Sequence, residues 1–520
     1  MNRSLIILIV STISINLFAQ GWPKIYADNI DSGPRKVIET YDKGYLIISN
    51  IYINDYYRYI WLIKTDIDGE ILWDKKIGEG AYRYYIDDIN QTYDGGYIMI
   101  FRCSKYDIEE DPIVMKLDAC ANIEWCKTLH SDSYNRGVKV IQTPDSCFVA
   151  LSMYHSPDPY ERIFLFKLDQ TGEVLWSHLY AQLKPGIYNE EGFDVTLFPD
   201  DSTYLITGTC EYSPTSSTNG LWIKVDKDGN EIYDLIWNDS VYNLNTAYQS
   251  VHNSNYFYSV GSKAYVYRFN PTIYKILNDG TKLDSYKIAN TEKGGAGSTI
   301  SIYKDTMFVI GGRWSDNEGH CELFLTDTLG NVITQRTLFD DLQSPRNTTI
   351  TYDNKILVMC GFYEGSNWDI YLYKLNQDLE DDTLYNIQLN YDTLCPDSIV
   401  SDTLTIDCGI WVDMEEPFTT AEGSHLKIYP NPASNKIKVE LPEYTVSKQQ
   451  TGNFEVSKVH YGLQEAAELI IYDIYGRKVK SLYLSTNQTE IDISHWKSGI
   501  YLIELRSGEK VLDKGKFVVN

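Results

Sequence analysis

The sequence predicts an all-β protein, a seven-bladed β-propeller followed by a small C-terminal β-sandwich. Three observations lead there. The phrase "IKTDIDGEILW", Ile63 to Trp73, returns down the chain at a nearly constant interval. Each interval holds four short strand-like segments. No interval holds an apolar stripe of period 3.6, which sets helical solenoids aside.

The copies are "MKLDACANIEW" ending at Trp125, "FKLDQTGEVLW" ending at Trp176 and "IKVDKDGNEIY" ending at Tyr233. Fainter ones begin at Tyr274, Leu323 and Leu372. Their lysines fall at 64, 116, 167, 224, 275 and 374, with Leu325 in the place of a missing one, so the steps are 52, 51, 57, 51, 50 and 49 residues. Upstream of each, a polar turn opens a run of β-branched and aromatic residues, as in "ETYDKGYLIIS" and "QTYDGGYIMI". Before that turn lies a short alternating segment such as "RKVIET", "DDINQT" or "VKVIQT". Four strands in about 50 residues is the arithmetic of a propeller blade.

The ends of the array are complementary. Trp22, Lys24 and Tyr26 echo the outer-strand pattern of "LWDKKIG", and Trp22 precedes Trp73 by one period. The last repeat runs from "LYKLNQD" into acidic residues without an outer strand of its own. The N-terminal strand is therefore expected to complete blade seven and pair its open edge. The propeller is assigned residues 21–378.

The chain has 520 residues, with 72 Asp and Glu against 46 Lys and Arg, for a net charge of −26. Such a field repels phosphate backbones and argues against nucleic acid as a partner. Arg3, an apolar run from Leu5 to Phe18 and a cut between Ala19 and Gln20 read as an export signal over residues 1–19. Nine cysteines in an oxidising compartment leave an odd one over. Cys395 and Cys408 bracket a polar stretch of the acidic connector, 379–425, and are expected to form a disulfide worth about 3 kcal/mol. The other seven, Cys120 and Cys126 among them, read as small buried hydrophobes.

The recurring Asp-rich phrase has two readings, calcium loop or tight turn. Gly69, Gly172, Gly229, Gly280 and Gly330 fall where a hairpin needs positive φ, and an Asp at the entry can accept backbone N–H bonds. A calcium loop needs acids at alternating ligand positions, yet the place of Asp68 is taken by Thr171 or Leu329 elsewhere. The turn reading is preferred; no cofactor is predicted, with structural calcium as the alternative. The phrase resembles the tryptophan-docking repeat of quinoprotein propellers, in which an Asp, a Thr-Gly pair and a Trp lock neighbouring blades. "LDQTGEVLW" is the nearest copy, one residue short between Asp169 and Gly172. The grammar "DGGYIM…IVMKLD…EW" is also similar to that of secreted bacterial propeller-repeat proteins.

Catalytic signatures are sparse. The eight histidines form no H-E-x-x-H, and no nucleophile elbow or phosphate loop occurs. Glu109-Glu110-Asp111 and Glu190-Glu191 could flank a glycosidic bond but read first as solvated loop charge. Aromatics in "NDYYRY" and "YRYY" could stack sugars, with strand packing as the simpler use.

From Leu426 the texture changes to "LKIYPNPASNKIKVELPE", "AELIIYDIYGRKVKSL", "TEIDISHWKSGIYLIEL" and "KGKFVVN". Alternating strands and turn residues suggest a small β-sandwich over 426–520. These residues resemble the type A C-terminal sorting domain of type IX secretion substrates. The resemblance rests on Pro430-Asn431-Pro432, Gly476-Arg477, Gly499-Ile500-Tyr501 and Lys516-Phe517-Val518-Val519. An extra segment, Pro442 to Gln464, departs from the pattern and is expected to form a long hairpin or loop. The resemblance implies passage through the periplasm and the type IX translocon, removal by a sortase-like peptidase, and a secreted or surface-attached product. The leading function is then a noncatalytic propeller that binds an extracellular glycan, protein or matrix component. A polysaccharide hydrolase or lyase with acids spread over the blade tips is the runner-up, and a spacer without a ligand is third.

Overall fold

The computed structural model describes residues 21–519 except 27–30, 53–57, 80–81, 106–107, 131–134, 156–160, 181–186, 199, 201, 213–216, 238–244, 266–267, 290–293, 316–318, 341–342, 365–366, 386, 407, 409–410, 414–426, 441–442, 451–452, 461–466, 474–476, 484–487 and 508–509. The signal cleavage at Ala19–Gln20 and the glycine of the Gly476-Arg477 pair lie outside the described residues. The chain divides into two compact units, residues 1–415 and 416–520.

In the first unit each sequence repeat becomes an antiparallel meander. Repeat 1 is Ser32–Glu39, Tyr45–Tyr52, Arg58–Thr65 and Ile71–Ile77. Repeat 3 is Asn135–Gln142, Phe148–His155, Glu161–Leu168 and Val174–Tyr180, and the others follow suit. The second and third strands of repeat 1 are almost wholly buried, because their apolar side chains pack on the flanking repeats as well as within their own. The last repeat, Asn347–Ile350, Ile356–Glu364 and Asn367–Leu375, takes Lys24–Tyr26 as its fourth strand, with Lys24 opposite Leu372. Trp22 and Tyr26 are buried there with Tyr45 and Trp61 of repeat 1, so the two ends of the array share one core.

The Asp-rich phrase is a turn. Asp66 Oδ1 accepts the amides of Asp68 and Glu70 at 2.9 and 2.8 Å, and Asp169, Asp226 and Asp327 do the same in their repeats. The five expected glycines have φ between 79 and 89°. Ala121 and Leu379 hold the same place at 58 and 63° in copies that lack glycine. The outer-strand aromatic of one repeat then docks on the next turn. Trp125 donates Nε1–H to the Gln170 carbonyl and Trp176 donates to that of Lys227.

The connector is not a free linker. The described residues of 382–413 form a strap on repeats 7, 1 and 2, and belong to the same compact unit. Tyr385 N–H donates to Asp68, the Ile67 amide donates to the Tyr391 hydroxyl, and Trp73 Nε1–H donates to Asp392 at 2.9 Å. Asp402–Leu404 then pairs in parallel with the outer strand of repeat 1, and Trp411–Asp413 with Ile123–His130 of repeat 2. The expected Cys395–Cys408 bridge is replaced by Cys120–Cys395 and Cys126–Cys408. The strap runs beside the outer edge of repeat 2 and brings each of its cysteines to one there. Cys120 and Cys126 are thus half of a staple rather than packing residues.

The second unit holds a three-stranded sheet, Lys427–Tyr429, Lys436–Glu440 and Gln488–Asp492, and a four-stranded sheet. The latter is ordered Lys478–Tyr483, Ala467–Asp473, Gly499–Ser507 and Lys510–Val519. Ile437, Val439, Leu469, Ile503 and Phe517 from both sheets share one core. The extra segment is a hairpin, Glu443–Gln450 with Asn453–His460, paired with neither sheet.

Candidate functional sites: a bulge-lined channel and a C-terminal tail

The first strand of each repeat lines a central channel, and the same irregularity recurs in it. Register shifts between Pro34 and Lys36, Ile86 and Asp88, Gly137 and Lys139, Gly192 and Asp194, Ala247 and Gln249, and Gly297 and Thr299. A bulge leaves one residue without a partner and redirects its side chain. Two stacked rings of residues result.

The residue after each bulge forms a belt that ties repeats together. Lys36 Nζ meets Asp88 Oδ1 at 2.7 Å, and Lys139 Nζ meets Asp194 Oδ1 at 2.7 Å. The second oxygens of Asp88 and Asp194 accept the amides of Val140 and Ser250 in the following repeats. Gln249 accepts the Ile300 amide, and Asn347 accepts that of Val37 across the junction of the array's ends. Burial pushes the Lys36 ammonium below its ordinary value against the pull of Asp88. Burial also opposes charge on Lys139, but Asp194 and Asp88 outweigh it and hold its pKa above the usual range. These carboxylates are committed to structural pairs.

The bulge residues themselves, Arg35, Asp87, Val138, Phe193, Tyr248 and Ser298, together with Arg346 of the last repeat, line a cavity of about 180 Å³. This cavity lies on the side of the belt away from the Asp-rich turns, where the longer connections fall outside the described residues. On the turn side a larger cavity of about 720 Å³ is lined by Glu39, Gln91, Ile141, Thr196, His252 and their neighbours. Burial raises the Glu39 carboxyl above the ordinary value although its Oε2 accepts the Tyr352 amide. Burial also lowers His252, whose ring stacks on Phe198 at 5.6 Å.

Of the acids singled out in the sequence, Glu190 and Glu191 do not converge on one site. Glu190 is buried, whereas Glu191, next along Ile187–Leu197, points to the other face and lies 3.6 Å from Arg136. Burial, then the charge of Glu161, raises the Glu191 carboxyl. Glu109 and Glu110 lie on Ile108–Leu117, with side chains outside the described residues. Of "YRYY", Tyr84 is core, and Tyr85 lies between the guanidinium groups of Arg58 and Arg102 at 4.3 and 4.7 Å. Among the described residues no cluster of three or more His, Cys, Asp or Glu stands ready to hold a metal ion. The bulge ring was missed in the sequence, where a one-residue slip in alternation was its only trace.

In the second unit the tail residues gather at one end of the four-stranded sheet. Asn431, between cis peptides at Pro430 and Pro432, donates to the Lys516 carbonyl and accepts the Val518 amide at 2.9 Å. Tyr501 stacks on Phe517 at 5.6 Å and donates its hydroxyl to the Lys497 carbonyl. Gly499 pairs with Val519, and Arg477 Nε–H donates to Asp473 at 2.8 Å. The "PNP" turn and the final strand therefore read as one surface although 85 residues separate Asn431 from Lys516.

Residues 427–520 match the family of secretion system C-terminal sorting domains. The chain carries a type IX sorting tail, which engages the type IX machinery and marks the protein for export across the outer membrane, to a secreted or cell-surface location. None of the curated proteins matches the chain. Similar solved structures include PorZ, a surface component of the type IX secretion system of Porphyromonas gingivalis, at 10% identity over 93% of this chain and 59% of that one, TM-score 0.38. The β-propeller domain of the Trilobed protease from Pyrococcus furiosus is 10% identical over 72% of this chain and 95% of its own, TM-score 0.36. A PL25 ulvan lyase is 9% identical over 68% and 96%, TM-score 0.44. At these scores none of the three bears on the activity.

Proposed function

We propose that this exported surface propeller is a noncatalytic binding protein for an extracellular glycan, protein or matrix component. In this reading its repeats close into seven blades, and the tail folds as a β-sandwich. The observation that carries it is the channel. Asp88 and Asp194 are held by lysines and backbone amides, and the open ring beside them offers two arginines and two aromatics, with its one acid, Asp87, set 3.9 Å from Arg102. No cofactor is assigned to the turns, since one oxygen of the entry aspartate already accepts two amides, and added calcium should leave the melting temperature unchanged. A polysaccharide and matrix-protein panel that scores both retention and product release tests the reading. Retention without product supports it; release of shortened chains overturns it.

A hydrolase or lyase is the second reading, and Glu39 favours it. Its carboxyl is raised by burial, lines the larger cavity and leaves Oε1 without a partner among the described residues. Loss of product release in Glu39→Gln, with binding retained, would establish that reading.

For the tail, the reading includes removal by a sortase-like peptidase after translocation. Fusing residues 426–520 to a periplasmic reporter should carry it to the surface of a type IX host, with the 442–464 segment dispensable. A reporter left in the periplasm, while a known sorting domain exports it, overturns that assignment.

A further inference from the structure

The bulge ring is chemically lopsided. Arg346 and Arg35 are consecutive around it, from the last repeat and the first, and Phe193 and Tyr248 stand together farther round with centroids 5.3 Å apart. Among the described residues neither arginine has a carboxylate partner. Asp87, the next residue round, lies 3.9 Å from Arg102 instead.

Two adjacent guanidinium groups repel each other, and partial burial weakens the hydration that would offset the repulsion. Burial, then the charge of Arg35, holds Arg346 below the ordinary arginine value. The chain has 72 acidic residues, yet among the described residues none is placed against this pair. An anion between the two forks would relieve the repulsion and could be held bidentately. The aromatic pair in the same cavity, its rings tilted by 47°, supplies an apolar wall against which the non-polar face of a sugar ring can lie. A cavity of about 180 Å³ suits one sugar unit rather than a peptide loop.

We propose that the bulge ring is a binding site for an anionic glycan, its carboxylate or sulfate seated between Arg35 and Arg346 and its ring against Phe193 and Tyr248. This rests on the binding reading above and narrows its ligand class.

The mature full-length protein is titrated calorimetrically with oligogalacturonate, a dextran sulfate oligomer and neutral dextran. At least one anionic oligomer should bind about tenfold more tightly than dextran, and the two anionic arms separate carboxylate from sulfate. Arg346→Gln and Arg35→Gln should each weaken that binding about tenfold or more, and Tyr248→Ala should weaken it with the charges intact. Native melting curves confirm that the variants fold; if one glutamine variant does not, the other decides. Failure of every glycan to bind overturns the proposal, as does an anionic affinity unchanged in the folded variant. Dextran binding that is indifferent to both arginines overturns this site but leaves the binding reading standing. Cleavage of a bound oligomer overturns the noncatalytic reading, while the arginine dependence still decides the site.

Discussion

Lys64 and Lys167 occupy the same place in their repeats and do the same thing in different surroundings. Each reaches back from the third strand to the aspartate of the preceding turn, where a threonine also donates to that carboxylate. In repeat 3 the pair is open on its acidic side, with 54% of the Asp145 side chain exposed and 7% of Lys167. In repeat 1 the strap covers it, and the side chains of Lys64 and Asp42 are 0% and 1% exposed. The Asp392 amide donates to Asp42, and the Tyr391 ring lies 5.5 Å from the Lys64 ammonium. One sequence motif therefore yields a half-open ion pair in one repeat and a fully buried one in another. A segment more than 300 residues away makes the difference, as the 350-residue separation of Asp392 from Asp42 shows.

The largest expected effect follows directly. Lys64→Met leaves Asp42 buried without its cation and should lower stability by about 3–5 kcal/mol. Lys167→Met should lower it by less than about 1 kcal/mol. Chemical denaturation of both variants checks the ranking, and equal losses would mean that the strap does not seal the first pair. Asp42→Asn combined with Lys64→Met should recover most of the loss.

Removing the staple should convert one case into the other. Cys120→Ala with Cys126→Ala deletes both bridges to the strap, each worth about 2–4 kcal/mol. In that background the penalty of Lys64→Met should fall toward that of Lys167→Met. Non-reducing peptide mapping should recover Cys120 with Cys395 and Cys126 with Cys408. Five free thiols should remain, at Cys103, Cys147, Cys210, Cys321 and Cys360.

What was legible in the sequence was what a single repeat contains. Strands, turns and the glycines at positive φ follow from local chemistry, and the 51-residue offset of Trp22 from Trp73 exposed the closure because the N-terminal strand carries the outer-strand pattern that the last repeat lacks. The lysine itself was visible only as a marker of period; its pairing with the preceding turn required the fold. The strap was illegible for another reason. Its polar, acidic composition matches that of a solvated linker, and its partners are 275 and 282 residues away in the disulfides. Spacing between Cys395 and Cys408 suggested a local loop, and local spacing carries no information about a distant edge. Arg35 and Arg346 became neighbours only when the array closed.

The turn beneath the covered pair offers a smaller test. A Cβ on Gly69 would lie 2.7 Å from Lys24 Cγ and 3.0 Å from the Trp22 ring, at φ +80°. Gly69→Val should lower stability by about 1–3 kcal/mol through strain and through pressure on the closing strand. Ala121→Gly, at the corresponding position of repeat 2, should change stability by less than about 1 kcal/mol, because relief of a positive φ offsets the loss of a buried methyl. A neutral Gly69→Val in thermal melts would place the closing strand farther from this turn than described.

The smallest effect is one of pH, and it belongs to the open pair. Burial works against charge on Asp145, but hydrogen bonds from Lys167 and Thr143 prevail and hold its carboxyl down at about 2, from 3.8. A carboxyl lowered on folding stabilises the native state above its unfolded value, and that contribution is lost as pH falls through the folded one. The window is therefore pH 4 to 2. Half-exposure screens the pair, which keeps the change below about 1 kcal/mol. Burial works against charge on Asp42 as well, but Lys64 and the Asp392 amide together prevail and hold its carboxyl low, so its loss belongs to acid unfolding of the covered region. Asp145→Asn should flatten the stability profile slightly between pH 4 and 2, and Asp42→Asn should alter it more. If the two asparagine variants show the same acid profile, cover by the strap is not what separates the two pairs.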